Sequence, residues 1–240
     1  ANGGSGANGV GGGGAGGMIY ASCTSNLFSG AITAYGGGGA NWAGAGTIYF
    51  RTNTTGQSLL IVDNGGHRGT NTALASANNF ILRNGATAFQ TYPPQTISSL
   101  LITSNAWLVA NTATGNNYPG IVNLTVTGNA TIQAGGGILT DASGSPQNTG
   151  TGHGYGAGIT PYYPCGGAGH GGYGAFGISN SIQVPVGITF DSTTAPATVG
   201  SGGGGYQPIS IGGSGGGYVR LIVNGTLQLD GSISANGGNG

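Results

Sequence analysis

Runs of bare glycine, Gly11-Gly12-Gly13-Gly14 near one end and Gly202-Gly203-Gly204-Gly205 near the other, set the terms on which this chain can fold. Glycine loses more backbone entropy on ordering than any other residue. A chain rich in it is therefore either disordered or packed so closely that only a missing side chain allows the packing. Disorder calls for low hydrophobicity and high net charge. Here 37% of residues are apolar and the net charge is zero, so an ordered chain is expected. Glycine makes up 57 of 240 residues, far above the usual share of about 7%. Tracts this dense suit a polyglycine-II-like arrangement, in which three residues per turn let neighbouring segments approach closely. A flexible linker is the competing account of poly-Gly.

Charge is almost absent. Arg51, Arg68, Arg83 and Arg220 balance Asp63, Asp141, Asp191 and Asp230, and there is no Lys or Glu. Without the repulsion that keeps proteins apart, self-association is the expected outcome. No basic patch can neutralise a nucleic-acid backbone, and no Lys/Arg-rich amphipathic stretch can hold an anionic membrane. No apolar run reaches the roughly 18 residues of a membrane span. The expected partners are copies of the same chain, with surface polysaccharide as a second candidate and neither nucleic acid nor membrane.

Helix-forming residues at a 3.6 spacing are missing, and Gly or Pro interrupts nearly every window, so almost no α-helix is expected. Short β-patterned runs recur instead, flanked by Gly, Asn, Pro or Ser. They span 18–21, 30–35, 47–51, 58–63, 79–83, 96–103, 106–110, 121–127, 130–134, 181–190, 208–211 and 218–233. The fold class is all-β, with a β-solenoid/β-helix-like or β-sandwich body and ordered Gly-rich tracts. Four segments are expected. Residues 1–52 form a Gly-rich N-terminal assembly region, 53–134 a β-solenoid-like core, 135–180 a Gly/Tyr/His-rich insertion, and 181–240 a C-terminal β and Gly-rich assembly region. In the second segment Leu100-Leu101-Ile102, Trp107-Leu108-Val109, Val122-Asn123-Leu124 and Ala130-Thr131-Ile132 read as successive rungs, with Asn and Gly at the corners.

A degenerate unit repeats by eye: a Gly tract leads into an aromatic strand, as in Gly17-Met18-Ile19-Tyr20, Gly46-Thr47-Ile48-Tyr49 and Gly217-Tyr218-Val219. A strand with Ile-x-Ala then returns to the next Gly tract, as in Ile32-Thr33-Ala34, Ile132-Gln133-Ala134 and Ile233-Ser234-Ala235. The last residues, Ala235-Asn236-Gly237-Gly238, read as the upstream neighbour of Ala1-Asn2-Gly3-Gly4. That predicts either a piece of a longer repetitive protein or a subunit that stacks end to end. The absence of Met at the start suggests a removed leader.

The runs Gly212–Leu221 and Gly225–Gly238 resemble the Gly-rich repeats of large secreted bacterial surface proteins, adhesin-like chains with pectin-lyase-like β-helices. The resemblance covers the two ends well and the middle only in its solenoid flavour. It implies a secreted, extracellular or cell-surface structural or adhesive role and carries no catalytic motif.

Chemistry-bearing residues are sparse. Cys23 and Cys165 are the two cysteines. A bond between them would close a loop of well over a hundred residues and stabilise by about 4–5 kcal/mol; two buried thiols are the alternative. Asp63, His67 and Arg68 form the one local cluster of acid, base and cation, which reads better as a turn with a local ion pair than as a catalytic group. His153, His170 and Cys165 are ligand types for zinc or copper, but their spacing matches no compact metal motif. Trp42 and Trp107 suit either sugar stacking or a β core. No catalytic residue, metal or cofactor is expected, and the chain is not read as an enzyme.

The reading that follows is a structural subunit of an extracellular filament or sheath. Its terminal strands are completed by a neighbour through backbone hydrogen bonds, with Met18, Ile19, Tyr20, Tyr218, Val219, Leu221 and Ile233 at the contacts. The alternatives, in order, are a stalk segment of a large secreted adhesin or carbohydrate-binding surface protein, an ice-binding Thr face including Thr125 and Thr127, and a β-helix polysaccharide enzyme.

Overall fold

The computed structural model describes residues 1–7, 9–112, 119–158, 163–179 and 182–240. Pro161, Tyr162 and Ser181, which belong to the aromatic segment and to a strand expected from the sequence, lie outside them. Among the described residues the chain is all-β, with no helix. None is therefore long and apolar enough to cross a membrane.

Two compact units are built from interleaved stretches of chain. The first comprises Ala1–Val109, Asn123–Ile138 and Leu221–Ile233, and the second Ala110–Val122, Leu139–Arg220 and Ser234–Gly240. These units cut across the four segments read from the sequence.

Most strands of the first unit belong to three sheets, some of whose strand ends fall in the second. The seven-stranded sheet has the order β1 (Met18–Cys23), β2 (Thr47–Thr52), β3 (Ser58–Asp63), β5 (Asn79–Arg83), β8 (Ser99–Ile102), β11 (Ala130–Ile132) and β16 (Leu227–Leu229). A five-stranded sheet runs β17 (Ser232–Ser234), β12 (Gly137–Leu139), β9 (Trp107–Val109), β6 (Thr87–Gln90) and β4 (Thr72–Leu74). The third sheet holds β15 (Tyr218–Val223), β10 (Ile121–Val126) and β7 (Gln95–Ile97). From β5 to β12 the chain visits the three sheets in rotation, and it does so again from β15 to β17, with β8 laid parallel to β5, β9 to β6, β10 to β7 and β11 to β8. Only β2 and β3 are antiparallel in the large sheet, as a hairpin closed by Thr52 N donating to Gln57 O at 2.8 Å.

Alternation along these strands puts every second residue inside. Because the register is exact from circuit to circuit, the inward residues stack in rows. One row is Leu60, Phe80, Leu100 and Ala130, and the next is Val62, Leu82, Ile102 and Ile132. All eight are buried. Each large aliphatic or aromatic side chain so buried contributes about 1.5–3 kcal/mol. Corners between sheets need a backbone that turns sharply, and the chain supplies left-handed residues there: Asn84 (φ 52°), Gly85 (φ 85°), Asn105 (φ 55°) and Gly135 (φ 79°). Their backbones stack as well, with Gly85 N donating to Asn105 O at 2.6 Å and Asn105 N to Gly135 O at 2.9 Å. Asn and Gly occupy these sites because they adopt αL at little cost.

Buried amides stitch the sheets. Gln90 is buried at the end of β6, where its Oε1 accepts from Asn123 N at 2.8 Å and its Nε2 donates to Asn123 O at 3.0 Å. Asn64 accepts from Gly36 N at 2.7 Å and donates to Ala43 O at 3.1 Å and His67 O at 2.7 Å. It thereby ties a glycine tract to the sheet body.

The glycine tracts themselves are neither helix nor strand, yet they are bonded to one another. In the first unit Gly3 and Gly6 donate to Tyr35 and Gly38, Gly14 and Gly17 to Gly4 and Ala1, Gly37 and Ala40 to Gly14 and Gly11, and Gly13 and Gly16 to Asn41 and Gly44. Each series advances by three residues. The second unit shows the same rhythm: Ser145 and Asn148 donate to Gly200 and Gly203, Gly200 and Gly203 to Gly216 and Gly213, and Gly166 and Gly169 to Tyr155 and Gly152. Close approach requires glycine at the facing positions. A Cβ on Gly46 would collide with the Gly17 carbonyl, and one on Gly187 with that of Gly152. The second unit also holds a short antiparallel pair, β13 (Gly177–Ser179) and β14 (Ile182–Val184).

Candidate assembly surfaces

Beyond β3 the large sheet continues alone through β2 and β1, and the inward rows continue with it. Tyr49 stands opposite Leu60, and Tyr20 opposite Tyr49. Thr47, one residue before the Ile48–Ile61 pair, falls in line with Val62, and Met18 stands opposite Thr47. At the other edge Leu227 follows Ala130 and Leu229 follows Ile132. Both rows thus end in exposed apolar side chains on both edges: Met18 is 87% exposed and Tyr20 64%, while Leu227 and Leu229 are each 44% exposed.

Those edges lack the usual protection. Free strand edges are normally blunted by charge, proline or a bulge. β1 reads Met-Ile-Tyr-Ala-Ser-Cys and β16 reads Leu-Gln-Leu, with no charge and no proline in either. Under β1 and β2 lies an open apolar cleft of about 370 Å³, lined by Met18, Tyr20, Tyr49 and Leu60 among others. Tyr20 and Tyr49 stack along its wall, with ring centroids 5.6 Å apart and planes 13° from parallel.

Of the contact residues read from the sequence, Met18 and Tyr20 stand in the open and Ile19 is half-buried on the opposite face of β1. Ile233 is exposed on β17, Val219 and Leu221 are half-buried on β15, and Tyr218 is buried. Leu227 and Leu229 lie inside the expected terminal run 218–233 but are not among its named contact residues. Their signal was present, since Leu-Gln-Leu is an alternating strand bounded by the turn pairs Asn224-Gly225 and Asp230-Gly231.

Cys23 and Cys165 do not form a disulfide: both are free thiols, one at the end of β1 in the first unit and the other in the second. The Cys165 Sγ instead lies 3.3 Å from both Tyr163 O and Ser210 Oγ. Asp63 does not pair with Arg68. The parallel register sets it opposite Arg83, whose Nε donates to its Oδ2 at 2.6 Å, and Gly65 N and Asn84 Nδ2 add further bonds. His67 lies flat on Trp42 at 3.5 Å, and the Arg68 guanidinium sits 5.2 Å from the centroid of the Trp107 ring. The cluster is thus dispersed into an ion pair and two ring contacts.

His153, His170 and Cys165 do not converge, and among the described residues no three His, Cys, Asp or Glu side chains form a metal site. His153 Nδ1 is 2.9 Å from Gly154 O, while His170 Nε2 is 3.5 Å from Asp191 Oδ2. Asp191 anchors a loop of the second unit. Its carboxylate accepts from Ala197 N at 2.9 Å, Ser192 N at 2.7 Å, and Thr198 N and Oγ1 at 2.8 Å each. The backbone donors, with Ala197 foremost, hold the carboxyl far below the usual carboxylate range.

Comparison with protein-family models, with curated proteins and with solved structures gives no significant match.

Proposed function

We propose that this chain is a structural subunit of an extracellular filament or sheath, assembling head to tail through its open strand edges and Gly-rich tracts. The observation that carries the reading is that both inward rows of the large sheet run out at both edges in uncovered apolar residues. A stacked-rung body needs terminal units with a polar outer face to stay soluble alone, and neither β1 nor β16 supplies one. The fixed rotation through three sheets supports a β-solenoid body, and the three-residue hydrogen-bond rhythm supports polyglycine-II-like tracts beside it. A head-to-tail contact joins two different edges, so it does not close on itself and grows a fibre. On this reading the protein is secreted, carries no catalytic centre or cofactor, and binds its own copies rather than nucleic acid or membrane.

The test is concentration-dependent light scattering with negative-stain imaging of the purified chain. Fibres of uniform width are expected, and a monodisperse 23.1 kDa species at high concentration overturns the reading. An adhesin stalk or carbohydrate-binding surface protein is the second reading. It draws on a glycine-floored groove of about 570 Å³ in the second unit, with the exposed Tyr173 and half-exposed His170 among its lining. Glycan-array binding by a chain that does not polymerise favours it.

A further inference from the structure

We infer that the growing contact is an antiparallel strand pair between β1 of one copy and β16 of the next, in a single register that sets Tyr20 opposite Leu227 and Met18 opposite Leu229. The inference rests on the head-to-tail reading and fixes which surfaces meet and how they align.

Strand direction comes first. β16 runs parallel to β11, and through it to β8, β5 and β3. β2 turns back against β3, and β1 runs parallel to β2. β1 therefore points opposite to β16 within the same sheet. Two copies related by a shift along the sheet, without rotation, bring these edges together as an antiparallel pair, which is slightly the more stable kind per residue.

Register follows from the rows. One row ends in Tyr20 at β1 and in Leu227 at β16, and the other ends in Met18 and in Leu229. In an antiparallel pair Tyr20 against Leu227 requires Met18 against Leu229, so one alignment continues both rows at once. A slip of one residue would turn every side chain of the arriving strand to the other face. A slip of two would strand one leucine without a partner. In the proposed alignment Ile19 meets Gln228 on the outer face. Leu227 and Leu229 arrive on the side where the cleft lined by Met18, Tyr20, Tyr49 and Leu60 is open.

The occupant is a second copy because each edge carries the complement of the other. The two ends present the same two rows, in opposed direction, on strands that bear no charge for a foreign partner to read. Every copy brings both halves.

Cysteine cross-linking tests the register in a background where Cys23→Ser and Cys165→Ser remove the native thiols. Tyr20→Cys and Leu227→Cys are made as separate single variants and mixed under mild oxidation. Directly opposed residues lie about 4.5–5.5 Å apart at Cα, within the reach of a disulfide. The mixture is expected to yield a disulfide-linked heterodimer at least tenfold above either variant alone. Tyr20→Cys mixed with Gln228→Cys, whose side chains would face opposite sides, is the control and should stay at background. Each variant's thermal unfolding is compared with that of the background protein, and a variant that loses its transition is replaced by the Met18→Cys and Leu229→Cys pair. Fibres that form without the cross-link, or with equal yield in the control, overturn this register and leave head-to-tail growth standing. Efficient cross-linking of Tyr20→Cys with itself overturns it in favour of a two-fold contact. Absence of any assembly, with both edges covered by further polypeptide or another partner, overturns both readings.

Discussion

The sheet body and the glycine tracts are held together by opposite means. In the body, Phe80 and its row neighbours exclude water with bulk, and the backbone hydrogen bonds of the ladders come along with that burial. In the tracts there is almost no bulk to bury, and cohesion comes from backbone donors meeting backbone carbonyls at every third residue. The first arrangement fails when a side chain is removed, the second when one is added. A single sequence here carries both logics, and its composition alternates accordingly.

The largest effect expected from this contrast is in the body. Phe80→Ala leaves a cavity between Leu60 and Leu100 and should cost about 3–5 kcal/mol, read from the midpoint of urea unfolding. In the tracts the damaging change is the addition of a side chain rather than its removal. Gly13→Ala drives a methyl into the carbonyl of Gly37 and should cost about 1–3 kcal/mol, as overpacking does. Equal tolerance of both substitutions would break the comparison.

A polar anchor sharpens it. Asp191 holds its loop through hydrogen bonds, with His170 Nε2 3.5 Å from its Oδ2, and its carboxyl is depressed in the folded chain. Its contribution is therefore complete above the unfolded value of about 3.9 and fades as pH falls from there toward the folded value. Melting temperature followed from pH 6 down to pH 2 should decline more steeply in the native chain than in Asp191→Asn. The smallest effect is the most diagnostic. Gly12 is next to Gly13 but faces open space, so Gly12→Ala should stabilise by about 0.4–1 kcal/mol by restricting the unfolded chain. A loss at Gly12 comparable to that at Gly13 would mean that the tract has no preferred side.

Much of the body was legible because alternation is a local signal. Ser58–Asp63 and Asn79–Arg83 stand where the pattern puts them. The long run 218–233 is three strands because Asn224-Gly225 and Asp230-Gly231 break it into β15, β16 and β17, and the run 96–103 divides at Ser98, whose N donates to Asn78 O at 2.5 Å. β4, β6, β12 and β13 have no counterpart among the expected runs, since three or four residues such as Thr72-Ala73-Leu74 are too few to show a period; the first three are paired within the five-stranded sheet. Residues 30–35 looked like a strand and are not one. Ala1 N donates to Thr33 O and Gly46 N to Ala34 O, which ties this stretch to the glycine tracts rather than to a sheet. The candidate contact was half legible. Met18 and Tyr20 followed from an aromatic strand after a Gly tract, whereas the exposure of Leu227 and Leu229 depends on their place in the last circuit, which no local pattern reports. Whether the two cysteines pair was not legible, because cysteine count says nothing of which compact unit each residue joins.

The three-residue rhythm has a spectroscopic consequence. Circular dichroism would score the glycine tracts as coil, since they carry neither helical nor strand geometry. Deuterium exchange should see them otherwise: the amides of Gly3, Gly6, Gly13, Gly14, Gly16 and Gly17 all donate within the first unit and should exchange slowly. A stretch that reads as coil by circular dichroism and as protected by deuterium exchange would be the fingerprint of backbone packed against backbone.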